Sequence, residues 1–279
     1  MTADIQLSDR GYQQIRQFFY QHSGIDLPDS KRHLVAGRLR HRVLLLGFAC
    51  YEDYFRHVMQ SGEEEERQLL VDLLTTNETY FFREPQHFKL LAEQIIPTLS
   101  EQPRIWCAAA SSGEEPYSLA MLLADKLGLN KPWQVLATDL SQRILQRASQ
   151  GLYPMQRLEL MPERYLKNFC RRGAGQYDGQ LLVRREIRER VQLRQHNLMD
   201  SAHALGQFEV IFLRNVLIYF TQQSKERVLG YLLQQLKPGG WLVIGHAESL
   251  HGLQTPLRQV RPSVFRLPQS LGHERGRCA

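Results

Sequence analysis

Residues 104–128 read RIWCAAASSGEEPYSLAMLLADKLG, and the fold turns on this stretch. A short apolar run, Ile105 to Ala110, breaks at Ser-Ser-Gly and gives way to a longer run whose apolar positions recur at helical spacing. That is a strand, a tight turn and a helix. The same alternation returns in WQVLATDL (133–140), SQRILQRASQG (141–151), FEVIFLRN (208–215), SKERVLGYLLQQLK (224–237) and GWLVIGHAE (240–248). Strands alternating with amphipathic helices at this spacing predict an α/β fold with a parallel sheet. PSVFRLP (262–268) suits an antiparallel strand at its edge.

Upstream the pattern is purely helical. YQQIRQFFY, HLVAGRLRHRVLLLG, YEDYFRHVM and RQLLVDLLT predict four short helices, separated by turn-forming Gly, Pro, Asp and Ser. Residues 1–75 are therefore expected to form a small all-helical domain, 76–90 a linker and 91–279 the α/β domain. RRGAGQYDGQLLVRREIRERVQLRQHN (171–197) interrupts the latter and reads as a small antiparallel β insertion.

Composition sets broad limits. The 279 residues carry 35 Lys plus Arg against 29 Asp plus Glu, a net +6 that permits acidic partners without naming one. Cys50, Cys107, Cys170 and Cys278 lie far apart with no CxxC pair, so neither a zinc site nor a disulfide framework is indicated, and no metal is expected. The first residues lack a signal-peptide core, and the longest apolar run, VLLLGFAC, is too short to span a bilayer. A soluble cytoplasmic protein without membrane insertion is the expectation.

Open α/β sheets bind ligands at the carboxyl ends of their strands, so the strand-end turns carry the functional reading. The first, AAASSGEEPYS, has one glycine where a dinucleotide fingerprint needs three. Ser112 and Glu115 have the spacing of a capping box. Glu114 argues against a phosphate and suits an ammonium, although complementing the helix dipole would explain it equally well. The second turn places Asp139 where a carboxylate accepts both ribose hydroxyls of an adenosine, or simply caps a helix. The third ends a strand in Arg214 and Asn215, close to Tyr219. One carboxylate for an ammonium, another for a ribose and no phosphate loop describe S-adenosylmethionine better than a dinucleotide.

TTNETYFFRE (75–84), SSGEEPYSLAM, ATDLS, FLRNVLIYF and LKPGGWLVIGHAE together resemble the CheR family, the chemotaxis receptor glutamate methyltransferases, over nearly the whole chain. The resemblance implies a Rossmann-like methyltransferase domain that uses S-adenosylmethionine, releases S-adenosylhomocysteine and esterifies glutamates on the cytoplasmic coiled coil of chemoreceptors. By motif, cofactor contacts fall on Asn77, Thr79, Arg83, Glu114, Asp139, Asn197, Leu198, Arg214 and Asn215. Two departures stand out. Ser112 replaces a threonine, and Ala247 replaces the serine of Gly-His-Ser-Glu.

The attacking glutamate is already an anion near neutrality, because its ordinary pKa is about 4.3, so no general base is required. Arg83 is the candidate for orienting it and Tyr219 for donating to its other oxygen, with Tyr80, Phe81 and Phe82 excluding water. Lys31, Arg32, Arg38, Arg40 and Arg42 form a local basic run suited to an acidic receptor helix. Gly173, Gly175 and Gly179 are compatible with a receptor C-terminal peptide at the β insertion, as some family members use. Two rivals remain: a nucleic-acid methyltransferase, weakened by NVLIY where Asn/Asp-Pro-Pro-Tyr is usual, and a non-catalytic cofactor-binding scaffold.

Overall fold

The computed structural model describes residues 5–158 and 160–269, which leaves Cys278 outside the described residues. Four helices come first: α1 (Asp9–Ser23), α2 (Arg32–Leu45), α3 (Tyr51–Val58) and α4 (Glu64–Leu74). Ser8 caps α1 by accepting from the Gly11 amide at 3.0 Å, and Gly24 ends it in the left-handed region at φ 73°. Tyr12, Ile15 and Phe19 of α1 meet Val35, Leu39 and Val43 of α2 in a core of their own. Helical spacing on both partners puts those residues on one face.

Helix α5 (Pro85–Leu90) follows and runs on through one π turn (Leu91–Ile95) into a 3-10 turn (Ile96–Thr98). The expected linker therefore ends at Glu84, and the residues after it are helical. Next come β1 (Arg104–Ala108), α6 (Glu114–Leu127), β2 (Gln134–Asp139) and α7 (Gln142–Gln150). Strands β3 (Leu152–Pro154), β4 (Cys170–Arg172) and β5 (Gln180–Val183), with α8 (Glu163–Phe169) and α9 (Arg185–Arg188), make up the inserted unit. The chain finishes with β6 (Val191–Gln195), β7 (Phe208–Leu213), α10 (Gln222–Gln234), β8 (Leu236–Ile244), β9 (Arg258–Arg261) and β10 (Val264–Arg266).

The main sheet runs β6-β2-β1-β7-β8-β10-β9, parallel through β8, with β10 antiparallel to β8 as PSVFRLP predicts. Alternate residues of the central strands enter different cores. Ile105, Cys107, Val135, Val210 and Phe212 belong to one, Trp106, Leu136, Ile211 and Leu213 to the other. A sheet covered on both faces produces the near-continuous apolar runs seen in the sequence.

The insertion differs from expectation at both ends. It starts earlier, because β3 pairs with β5 in a separate sheet ordered β3-β5-β4. It also stops earlier, because β6 joins the main sheet beside β2. VQLRQ alternates apolar and polar residues, as an edge strand with one wet face should, and that hid its parallel partner.

The order of the sheet reverses between β1 and β7, which opens a crevice at their carboxyl ends. The helical domain covers it. Ile25 bridges Phe220, the Asp26 amide donates to Tyr219 O at 3.0 Å, and Asn197 Nδ2 donates to His22 O at 2.6 Å. Gly24 is required at this contact: a Cβ there would lie 2.4 Å from Met199 Sδ.

Candidate active site

A cleft of about 630 Å³ lies between the two domains at that crevice. Its lining includes Asn77, Thr79, Arg83, Asp139, Asn197, Leu198, Arg214, Asn215 and Tyr219. Ala109, Ser111 and Asn215 line it in left-handed backbone, and Phe82 and Glu84 beside it are also left-handed, with φ between 50° and 67°. Non-glycine residues adopt this region rarely, and such strain concentrates where a fold shapes a site.

Glu114, expected among the cofactor contacts, lies outside the cleft lining. It is fully buried, bonded to Arg157 Nη1 at 2.9 Å and Ser112 Oγ at 2.5 Å, and does not line the cleft. Glu115 does, since neighbouring helical residues point about 100° apart. Nor does Ser112 cap α6. Gly113 holds that position at φ 97°, where a Cβ would lie 2.7 Å from Tyr153 Oη.

Arg214 lines the cleft with its charge already paired. Its side chain is wholly buried, with Nη1 2.6 Å from Glu115 Oε2 and Nη2 2.9 Å from Glu84 Oε2 and 2.5 Å from Arg83 O. Burial alone would lower the guanidinium pKa, but the two carboxylates outweigh it and raise it. Glu84 shows the reverse balance: burial raises it, Arg214 and Asn215 more than offset that, and it ends low. Arg214 is thus a buried cation that fixes the orientation of Glu115.

Asp139 stands at the end of β2 with Oδ2 2.8 Å from the Ser111 amide and Oδ1 3.0 Å from the Ser141 amide. Burial raises its pKa against those bonds. Asn197 is partly committed elsewhere: it latches His22 and accepts from the Met199 amide at 3.0 Å.

The linker wall is freer. Arg83 Nη1 donates to Glu78 O at 2.9 Å, and the guanidinium lies 5.5 Å from the centre of the Tyr80 ring. None of its recorded bonds goes to a carboxylate, so the guanidinium keeps donors for a ligand. The aromatic run beside it belongs to the core. Phe81 packs on Tyr153, and Phe82 on Tyr165 and Phe88, at 4.8–5.0 Å between ring centres. These rings anchor the linker; only Tyr80, of the three expected to exclude water, stays near the cleft.

Much of the basic run, Lys31 and the α2 arginines, already has partners within the helical domain. Arg42 is held by Glu66, with Nε 2.9 Å from Oε1, and Tyr54 donates to the same carboxylate at 2.8 Å. Arg32 binds Leu7 O and Asp9, and Arg38 ties down Leu74 O, Thr75 O and Thr76 Oγ1. Lys31 and Arg38 line the cleft mouth. Arg40 is half-buried on the same helix. Arg32, Arg38 and Arg42 thus hold the domain together, and the run offers less free charge than its composition suggests.

Two residues had weak sequence signals. Glu248, in GHAE, accepts four backbone amides, while Ala247, the departure from the usual serine, is exposed and leaves that arrangement intact. His87 sits buried in α5, its Nε2 2.7 Å from Ser263 Oγ; burial and then Arg214 push its pKa down to about 3. Glu84, His87 and His246 bring donor atoms within 4.8 Å of one another, but Arg214 already neutralises that carboxylate.

The residues present suit S-adenosylmethionine. Glu115 and Asp139 face one cleft, and Ser111 Oγ, buried and without a partner, lies between their elements on the same lining. Among the described residues no helix is long and apolar enough to cross a membrane.

Comparison with known proteins agrees. A family model described as CheR methyltransferase, SAM binding domain, matches residues 77–265, and one described as CheR methyltransferase, all-alpha domain, matches 10–75. Chemotaxis protein methyltransferase 2 of Pseudomonas aeruginosa is 40% identical over 258 residues, 91% of each chain. The chemotaxis protein methyltransferase of Escherichia coli is 39% identical over 256 residues, covering 91% of this chain and 89% of that one. Its counterpart in Salmonella typhimurium is 38% identical over 255 residues, covering 91% and 88%.

Proposed function

This chain belongs to the CheR methyltransferase family, a methyltransferase that uses S-adenosylmethionine, and from that premise we propose that it esterifies glutamate side chains on the cytoplasmic region of chemoreceptors. The observation that carries the reading is one cleft whose lining brings together two acidic residues, Glu115 and Asp139, with Tyr219 and with Arg83, which has no carboxylate partner among the described residues.

S-adenosylmethionine, when bound, supplies an electrophilic methyl group on a positively charged sulfur. Glu115 would meet the ammonium and Asp139 the ribose hydroxyls, with Asn77, Thr79, Asn197, Leu198 and Asn215 completing the walls. Arg83 and Tyr219 would each hold one oxygen of the incoming glutamate carboxylate. The nucleophile is ionised on arrival, so these residues orient and desolvate it and have no proton to remove. A bidentate grip by Arg83 would quench it, so the guanidinium, which already donates to Glu78 O beside the Tyr80 ring, would make a single contact to the carboxylate.

Receptor docking falls on the cleft mouth, where Lys31 and Arg38 stand beside the apolar Leu34 and Ile218. A C-terminal receptor peptide would add to the exposed edge of β4 beside Arg171 and Arg172. The nearby glycines have their own reasons: a Cβ on Gly173 would lie 2.0 Å from Tyr177 O, and Gly175 and Gly179 turn at φ 62° and 75°.

The test is to incubate the protein with methyl-labelled S-adenosylmethionine and receptor-containing membranes, then treat the product with alkali. Carboxyl methyl esters release volatile labelled methanol. Label that survives alkali would move the reaction to nitrogen, and no transfer to any receptor would favour a cofactor-binding scaffold.

A further inference from the structure

We propose that Glu248 is the positioning residue of the sheet-side wall of the cleft, acting through a carboxylate gripped by backbone amides. Its Oε1 accepts from Val216 at 2.8 Å and Leu217 at 2.6 Å; its Oε2 accepts from Asn215 at 2.9 Å and Gly245 at 2.6 Å. Three of the four donors are consecutive, and Asn215, at φ 57°, turns the chain so that their N–H groups converge. Such a concave run of amides is an anion-binding nest, here filled by the protein's own carboxylate.

The grip has a direct consequence for the site. Residues 215–217 lead straight into Ile218 and Tyr219, and all of these except Leu217 line the cleft. Asn215 also donates to Glu84 at 3.2 Å, so the same turn is tied to the buried Arg214 pair. One carboxylate therefore sets the path of the wall that carries the tyrosine. Gly245 is the matching requirement: a Cβ there would lie 2.9 Å from Glu248 Oε2 and 2.6 Å from Asn215 Nδ2. Glu248 as a residue is 9% exposed, so water cannot readily replace its carboxylate.

Glu248→Gln tests this, because the amide keeps the shape but turns one acceptor into a donor facing two N–H groups. Amide hydrogen exchange in residues 214–219 should accelerate by about tenfold or more, with β1 and β2 unchanged. The kcat per titrated cofactor site should fall about 30-fold while KM for receptor stays within about threefold. In a Tyr219→Phe background the same substitution should lower kcat by no more than about threefold, since the group it positions is gone.

Unchanged exchange at 214–219, acceleration spread evenly over the chain, or kcat per site within about twofold of wild type would each overturn the proposal. If Glu248→Gln does not fold, Gly245→Ala crowds the same carboxylate and must give the same local pattern. The rate arm rests on the receptor-methylation reading; the exchange arm needs no methyl acceptor, so failure of that reading is told apart from failure of this one.

Discussion

The two walls of the cleft are built on opposite terms. On the sheet side, Arg214 is paired with Glu115 and with Glu84 at the end of the linker, and Glu248 is saturated by amides. On the linker and helical side, Asn77, Thr79, Arg83 and Lys31 reach the cleft with few partners or with backbone carbonyls alone. Buried charge must be paired before a ligand arrives, because an unpaired ion in the interior costs several kcal/mol. Half-exposed donors can wait in water and change partners cheaply. One wall is thus a fixed template, and the other is free to close on what it binds.

The largest expected effect lies on the fixed wall. Arg214→Ala leaves Glu84 and Glu115 buried without their cation, and should lower unfolding free energy by about 3–5 kcal/mol in urea titration. A loss below about 1 kcal/mol would mean this wall is no more rigid than its opposite.

On the free wall the balance should invert. Arg83→Ala should reduce receptor methylation about 100-fold, which is about 2.7 kcal/mol in the barrier. Its unfolding midpoint should stay near that of wild type, since a half-exposed side chain with one carbonyl partner contributes little to stability. Near-normal turnover would remove Arg83 from the reaction.

The pair at the head of α6 sharpens the contrast within a single helix. Glu115→Gln should weaken S-adenosylhomocysteine binding about tenfold by calorimetry, as expected for losing one charged partner. Glu114→Gln should change affinity by no more than about threefold, its carboxylate being turned to Arg157. Equal losses would refute the choice of Glu115 over Glu114.

The smallest effect concerns pH. His87 has a folded pKa of about 3 against an ordinary value of about 6.5, so the folded state disfavours its protonation. The sign follows: stability is full above about pH 6.5 and declines as pH falls toward 3, where the unfolded chain binds the extra proton. Thermal midpoints measured from pH 7 to 5 should fall by a few degrees, and His87→Gln should flatten that slope. An unchanged slope in the variant would assign it to other groups.

Much of the molecule was legible from local pattern. The four helices, the strand–helix alternation and the antiparallel strand at 264–266 follow from periodicity and turn chemistry, which act within a few residues. So does the position of the strand-end turns: Asp139 ends β2 and lines the cleft. What failed depended on distant partners. VQLRQ looked like part of the antiparallel insertion until β2 proved to be its neighbour, and Phe81 and Phe82, expected to exclude water at the site, have their rings in the core against Tyr153 and Tyr165.

By itself the sequence determined the kinds of element, their order and the functional groups offered at the strand ends, because these depend on period, caps and residue chemistry. The tertiary structure decided which groups face the cleft. Glu114 and Glu115 are equivalent on paper. Arg157, 43 residues away, captures the first, and Arg214, 99 residues away, orients the second at the cleft wall. The same holds for the basic run on α2, whose charge is taken up by Glu66, Asp9 and the chain leaving α4. Side-chain direction is set by the nearest opposite charge or donor after folding, and no local pattern encodes where that partner will be.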